Sequence, residues 1–87
     1  MKVKFYATLR DLTGRKEIEI SGVKTVRELL DKLDRMFPGI KKELIDEDGD
    51  VNGMILVNGH NIVHLKLWDT ELKEDDVIHL FPPAGGG

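Results

Sequence analysis

Residues that carry chemistry are sparse in this sequence, and their spacing limits what each can do. His60 and His64 are four apart in HNIVH. On a helix that spacing puts two imidazoles on one face, as in zinc sites of the His-Glu-x-x-His type. Here Asn58-Gly59 precedes the pair and Ile62 and Val63 intervene, which favours a strand or loop. No metal site is expected. Asp46, Asp48 and Asp50 in DEDGD match the first three ligand positions of a calcium loop. Val51 then stands where that loop needs glycine, and Val57 where it needs a bidentate glutamate, so the segment reads as a solvated acidic turn. His79 lies among strand residues, and Ser21, the only serine, has no identifiable base. There is no cysteine, which excludes disulfides, thiolate ligands and a cysteine nucleophile together. No glycine-rich loop leads from a strand into a helix, so no phosphate cradle is expected.

What remains is FPPAGGG at 81–87. The α-carboxylate of Gly87 is a poor electrophile until it is activated. An ATP-using partner can convert it to an acyl-adenylate, and a sulfur donor can then displace AMP to leave a thiocarboxylate. An amine in place of sulfur gives an amide link to another protein. Either route needs the terminus to enter a narrow site, and glycine has no Cβ to meet its walls. Pro82 and Pro83 favour an extended backbone that aims the segment away from the domain. Extended, Pro82 to Gly87 reaches roughly 20 Å. Ordering the glycines costs entropy, which apolar contact around Phe81 is expected to offset on docking.

The elements that must present this segment follow from periodicity. Val3, Phe5, Ala7 and Leu9 alternate with polar neighbours, predicting a strand with one buried face. DLTGR supplies a turn at Gly14, and Ile18 and Ile20 point inward from a second strand, giving an antiparallel hairpin. Val26, Leu29, Leu30, Leu33 and Met36 or Phe37 recur at helical spacing, with Thr25 and Glu28 as a capping box and Pro38-Gly39 as the stop. IKKEL predicts a short helical turn before the acidic loop. MILVNGHNIV predicts a hairpin about Asn58-Gly59, a dipeptide suited to a type I′ turn. HLKLWDTELKEDD reads mostly as loop, with Trp68 and Leu72 folding back as plugs, and VIHLF as a last strand ended by Pro82. The order is strand, strand, helix, strand, strand, strand. It predicts an α+β fold of the β-grasp, ubiquitin-like kind: a mixed sheet of about five strands with one main crossover helix. The last strand lies parallel beside the first. Residues 1–81 form the domain and 82–87 the tail.

Eighty-seven residues fit one domain. With 13 basic and 16 acidic residues the formal charge is −3, and no basic stripe argues for nucleic acid. MKVKFYATLR lacks the continuous apolar core of a signal peptide, and no run approaches the ~20 apolar residues of a membrane span. Neither nucleic acid nor membrane is an expected partner, and a cytoplasmic location is expected.

Two segments carry a family resemblance: the opening VKFYATLRDLTG and the close LKEDDVIHLFPPAGGG. In the close, an acidic turn, a last strand and F-P-P-x-x-G-G follow in order. Together they resemble the MoaD/ThiS-type β-grasp sulfur carriers, most of all the small subunits of molybdopterin synthase, over essentially the whole chain. The resemblance implies that the protein is not itself an enzyme. An E1-like adenylyltransferase consuming ATP activates Gly87, and a sulfur-donor enzyme completes its thiocarboxylate, with no bound cofactor. Gly86 helps thread the terminus. The large subunit of molybdopterin synthase then uses the sulfur to build the dithiolene of molybdopterin from cyclic pyranopterin monophosphate. Phe81, Pro82, Pro83, Ala84 and Gly85 sit at the docking surface, with Arg10 as a further polar contact. Gly85 departs in flavour, since that place often holds a side chain. The same activation chemistry serves a ubiquitin-like modifier joined to lysines, or a carrier for thiamine or tRNA thiolation.

Overall fold

The first strand, β1, covers Lys2–Phe5, burying Val3 and Phe5 and leaving Lys2 and Lys4 half-exposed. A computed structural model describes residues 1–83. In it the expected strand to Leu9 ends early. Ala7 takes a φ of +50° and is exposed rather than inward, and Thr8–Thr13 forms a short helix, α1. The Leu9 amide donates to the Tyr6 carbonyl at 3.0 Å, closing the turn between the two elements. Leu9 still reaches the core with no exposure, but from a helix. One leucine returned to the core by a helical turn mimics strand alternation over so few residues. The first two strands are therefore joined through α1 rather than by a tight turn. Gly14 ends α1 at φ +70°, its amide donating to the Arg10 carbonyl at 2.8 Å.

Strand β2, Glu17–Glu19, pairs antiparallel with β1, setting Ile18 opposite Val3. Helix α2, Val26–Met36, starts as its sequence requires: the Glu28 amide donates to Thr25 Oγ1 at 3.2 Å. The Glu28 carboxylate in turn accepts from the Lys24 amide at 3.1 Å, one residue before the usual capping-box partner. Beyond Pro38-Gly39, helix α3 spans Ile40–Leu44. Asp34 Oδ1 accepts from the amides of Gly39 and Lys41 at 3.2 and 3.1 Å, so α2 itself caps the start of α3.

Strands β3, Met54–Val57, and β4, His60–Asn61, form the predicted hairpin. Asn58 and Gly59 both take positive φ, +52° and +85°, as a type I′ turn requires. Ile62 and Val63, expected in the second strand of the hairpin, instead enter a single 3-10 turn, Ile62–His64, because Asn61 Oδ1 caps the Val63 amide. The segment expected as loop contains another, Leu67–Asp69. Trp68 packs part-buried against the core, and Leu72 is buried. Strand β5, Val77–Phe81, completes a sheet of order β2-β1-β5-β3-β4. It runs parallel to β1 and antiparallel to β3, the β-grasp arrangement.

Helix α2 supplies Val26, Leu29, Leu30 and Leu33 to one buried cluster with Val3, Phe5, Ile55, Ile78 and Leu80 from the sheet. Each such side chain contributes roughly 1.5–3 kcal/mol by leaving water. Phe37 closes one end of the cluster edge-on to Phe5, ring centroids 5.8 Å apart. At the other end of the sheet Asp76 is buried and fully bonded. It accepts from Asn58 Nδ2 and from the Lys73 amide, both at 2.8 Å, while Asn58 Oδ1 accepts from the Val77 amide at 2.9 Å. This network ties the β3–β4 turn to the start of β5. Among the described residues no buried side-chain nitrogen or oxygen lacks a partner, and no helix is long and apolar enough to cross a membrane.

Candidate functional site

The sheet has two faces, because successive strand residues point opposite ways. One face packs under α2. The other gathers Met54, Leu56, Val77, His79 and Phe81, none of them fully covered. Tyr6, just past β1, joins this outer face. Lys2, Lys4, Glu17 and Glu19 edge it, with Lys2 Nζ 3.4 Å from the Glu17 carboxylate. An apolar centre with a charged margin is the composition of a protein-docking surface.

Phe81 is the last residue of the central strand β5, so the FPP segment leaves from the middle of the sheet rather than from an edge. Its side chain lies on the outer face, not in the core. It stacks on the Tyr6 ring at 4.1 Å between centroids and 13° between planes. The Tyr6 hydroxyl and His79 Nδ1 share a hydrogen bond of 2.8 Å. Arg10, on α1, donates from Nε to the Phe5 carbonyl at 2.9 Å and places its guanidinium carbon 5.4 Å from the Tyr6 centroid. The turn at Ala7 brings Arg10 back over β1, and its positive φ is one that side-chain-bearing residues rarely take.

Phe81 and Arg10 are thus brought to one place, with the Tyr6 ring in contact with both. Pro82 is half-buried and Pro83 exposed. Ala84, Gly85, Gly86 and Gly87 lie outside the described residues. The sequence reading missed Gly53. It precedes Met54, which pairs with Phe81, so the β3–β5 register sets Gly53 opposite Pro82. Neither Pro82 nor Pro83 has an N–H to donate, and β5 ends at Phe81. The signal was a glycine at the mouth of a strand, in DVNGMILV.

Two other groupings lie away from this face. The carboxylates of Asp46, Asp48 and Asp50 approach within 4.8 Å of one another, all exposed. Asp46 Oδ1 accepts from the amides of Asp48 and Asp50 at 2.9 and 3.0 Å, which makes the group a turn organiser. His60 lies on β4 and His64 in a 3-10 turn, so no helix aligns them.

With this geometry in view, the likeness to known proteins is specific. The ThiS family profile matches residues 3–87. Small archaeal modifier protein 3 of Haloferax volcanii is 35% identical over 91 residues, covering 100% of this chain and 98% of that protein. The solution structure of small archaeal modifier protein 1 from Methanosarcina acetivorans superposes with a TM-score of 0.81 at 37% identity, over 99% of this chain and 94% of that one. A putative molybdopterin converting factor, subunit 1, from Pyrococcus furiosus superposes at 0.70 with 39% identity, over 95% of each chain. The fold, the match over nearly the whole chain and these relatives together place the protein in the ThiS family of β-grasp sulfur carriers and ubiquitin-like modifiers.

Proposed function

We propose that the protein is a sulfur carrier acting as the small subunit of molybdopterin synthase. Gly87 is adenylated by an E1-like partner and converted to a thiocarboxylate by a sulfur donor. In the first step the Gly87 carboxylate attacks the α-phosphorus of ATP and pyrophosphate leaves. In the second, hydrosulfide from the sulfur donor attacks the acyl carbon, loses its proton and displaces AMP, so one terminal oxygen departs with the AMP. Gly86 and Gly85 thread the terminus into each partner's site, and Ala84 is small enough to follow. Phe81, Pro82, Pro83 and Arg10 belong to the docking surface.

The observation that carries this reading is the placement of FPP at the end of the central strand, beside the apolar outer face. A partner gripping that face receives the terminus at a fixed offset, with roughly 20 Å of extended chain to reach an enclosed site. The described residues need supply no acid, base or nucleophile, because the reacting carbon is the chain's own end. The 39% identity to a putative molybdopterin converting factor subunit supports the pterin pathway.

The second reading, a modifier joined to lysines through the same carboxylate, is favoured by identities of 35% and 37% to small archaeal modifier proteins. Reconstitution separates the two. Thiocarboxylated protein mixed with the host's large subunit is expected to convert cyclic pyranopterin monophosphate to molybdopterin. Gly-Gly remnants on lysines of host proteins, without that conversion, would assign the modifier role instead.

A further inference from the structure

We infer that Gly53 is a positioning residue for the C-terminal segment: its bare Cα forms the seat on which Phe81–Pro83 lie, and this seat sets the heading of the chain as it leaves the sheet. Its consequence for activation rests on the carrier reading, but its geometry does not.

A Cβ placed on Gly53 falls 2.2 Å from the Phe81 carbonyl oxygen, 2.9 Å from the Pro82 carbonyl carbon and 2.9 Å from the Pro83 nitrogen. All three are backbone atoms, so no rotamer change relieves the clash. Either β3 or the root of the tail must move. Gly53 also holds φ at +93°, a conformation that L side chains rarely adopt. The close approach has a topological cause. With Met54 opposite Phe81, the register sets Gly53 beside Pro82. Only glycine lets the two backbones come so near. On the other side, the Tyr6 stack holds the Phe81 ring. The last described residues are thereby fixed by Gly53 behind their backbone and Tyr6 against their ring.

Gly59 provides an internal control. Its φ of +85° is nearly the same, yet a Cβ there meets nothing within 4 Å. Gly53→Ala and Gly59→Ala thus carry similar backbone strain, and only the first touches the tail root. In adenylate formation with an E1-like enzyme and ATP, Gly53→Ala is expected to lower kcat by about 10- to 100-fold, as a misaimed reacting group does. KM should change by a smaller factor than kcat, because the rest of the outer face still docks. Gly59→Ala should match wild type in both constants. Equal kcat values for the two variants would overturn the inference.

A second measurement needs no enzyme. In NMR of the full-length wild-type chain, nuclear Overhauser contacts are expected between the Gly53 Hα protons and the Pro83 Hδ protons. Resonances of Phe81–Pro83 should move in Gly53→Ala and stay in place in Gly59→Ala. Absence of those contacts in wild type sinks the inference even if Gly53→Ala does not fold. Should wild type form no adenylate while the contacts are present, the carrier reading falls and the seat stands.

Discussion

Tyr6 is the residue on which the outer face converges. It stacks on Phe81, bonds His79 and lies within cation–π reach of Arg10. An offset or stacked aromatic pair is worth about 0.5–1.5 kcal/mol beyond its buried area, and a part-buried hydroxyl bond about 1 kcal/mol. Tyr6→Phe is therefore expected to cost at most about 1 kcal/mol in urea unfolding, and Tyr6→Ala about 2 kcal/mol. Equal costs for the two variants would mean that the stack contributes nothing. The same contrast reads on function: Tyr6→Ala frees the Phe81 ring and should weaken docking more than Tyr6→Phe. At this scale the sequence was legible where the signal is contiguous. Phe81, Pro82 and Pro83 stand out in one short string. Tyr6 and Gly53 do not, because their importance comes from register. Met54 opposite Phe81 and Lys4 opposite His79 are pairings across the sheet, which no local pattern encodes.

Among the elements, α2 and the β3–β4 hairpin were readable because each carries redundant signals. For α2, apolar spacing, the Thr25 cap and Pro38-Gly39 agree, and the Asn58-Gly59 turn needs two positive φ values that this dipeptide tolerates. Helix α1 was not readable. Six residues give too few turns for a helical period to separate from alternation, and its entry depends on Ala7 taking a glycine-like φ. The Asp76 network was equally hidden, since nothing in EDDV marks the third carboxylate as buried. Its role gives a sharp contrast. Asp76→Ala leaves the Lys73 amide and the Asn58 side chain without their acceptor and should destabilise by about 2–4 kcal/mol. Glu74→Ala, exposed in the same loop, should stay within about 0.5 kcal/mol. Thermal or urea denaturation measures both. A loss at Glu74 matching that at Asp76 would refute the assignment of the network to Asp76.

On the carrier reading, the whole molecule divides labour between a folded body and a reactive end. Among the described residues, every buried hydrophobic side chain lies between Met1 and Leu80. Stability and reactivity should then be separable: removing Gly86 and Gly87 is expected to leave the unfolding midpoint unchanged while abolishing activation. The placing of the last strand parallel beside the first was legible because a hairpin, a crossover helix and a later strand allow few topologies. The proposed chemistry was reached largely by elimination, since a sequence without cysteine, without a recognisable ligand set and without a base-paired nucleophile leaves the Gly87 carboxylate as the candidate. The central claim is that this carboxylate becomes a thiocarboxylate. Intact-mass spectrometry of the full chain, after incubation with the host's E1-like enzyme, ATP and a sulfur donor, tests it most directly. The account predicts replacement of one terminal oxygen by sulfur, located to Gly87 by fragmentation and absent when Gly86 and Gly87 are deleted. An unchanged mass, with the enzyme active on another substrate, would contradict it.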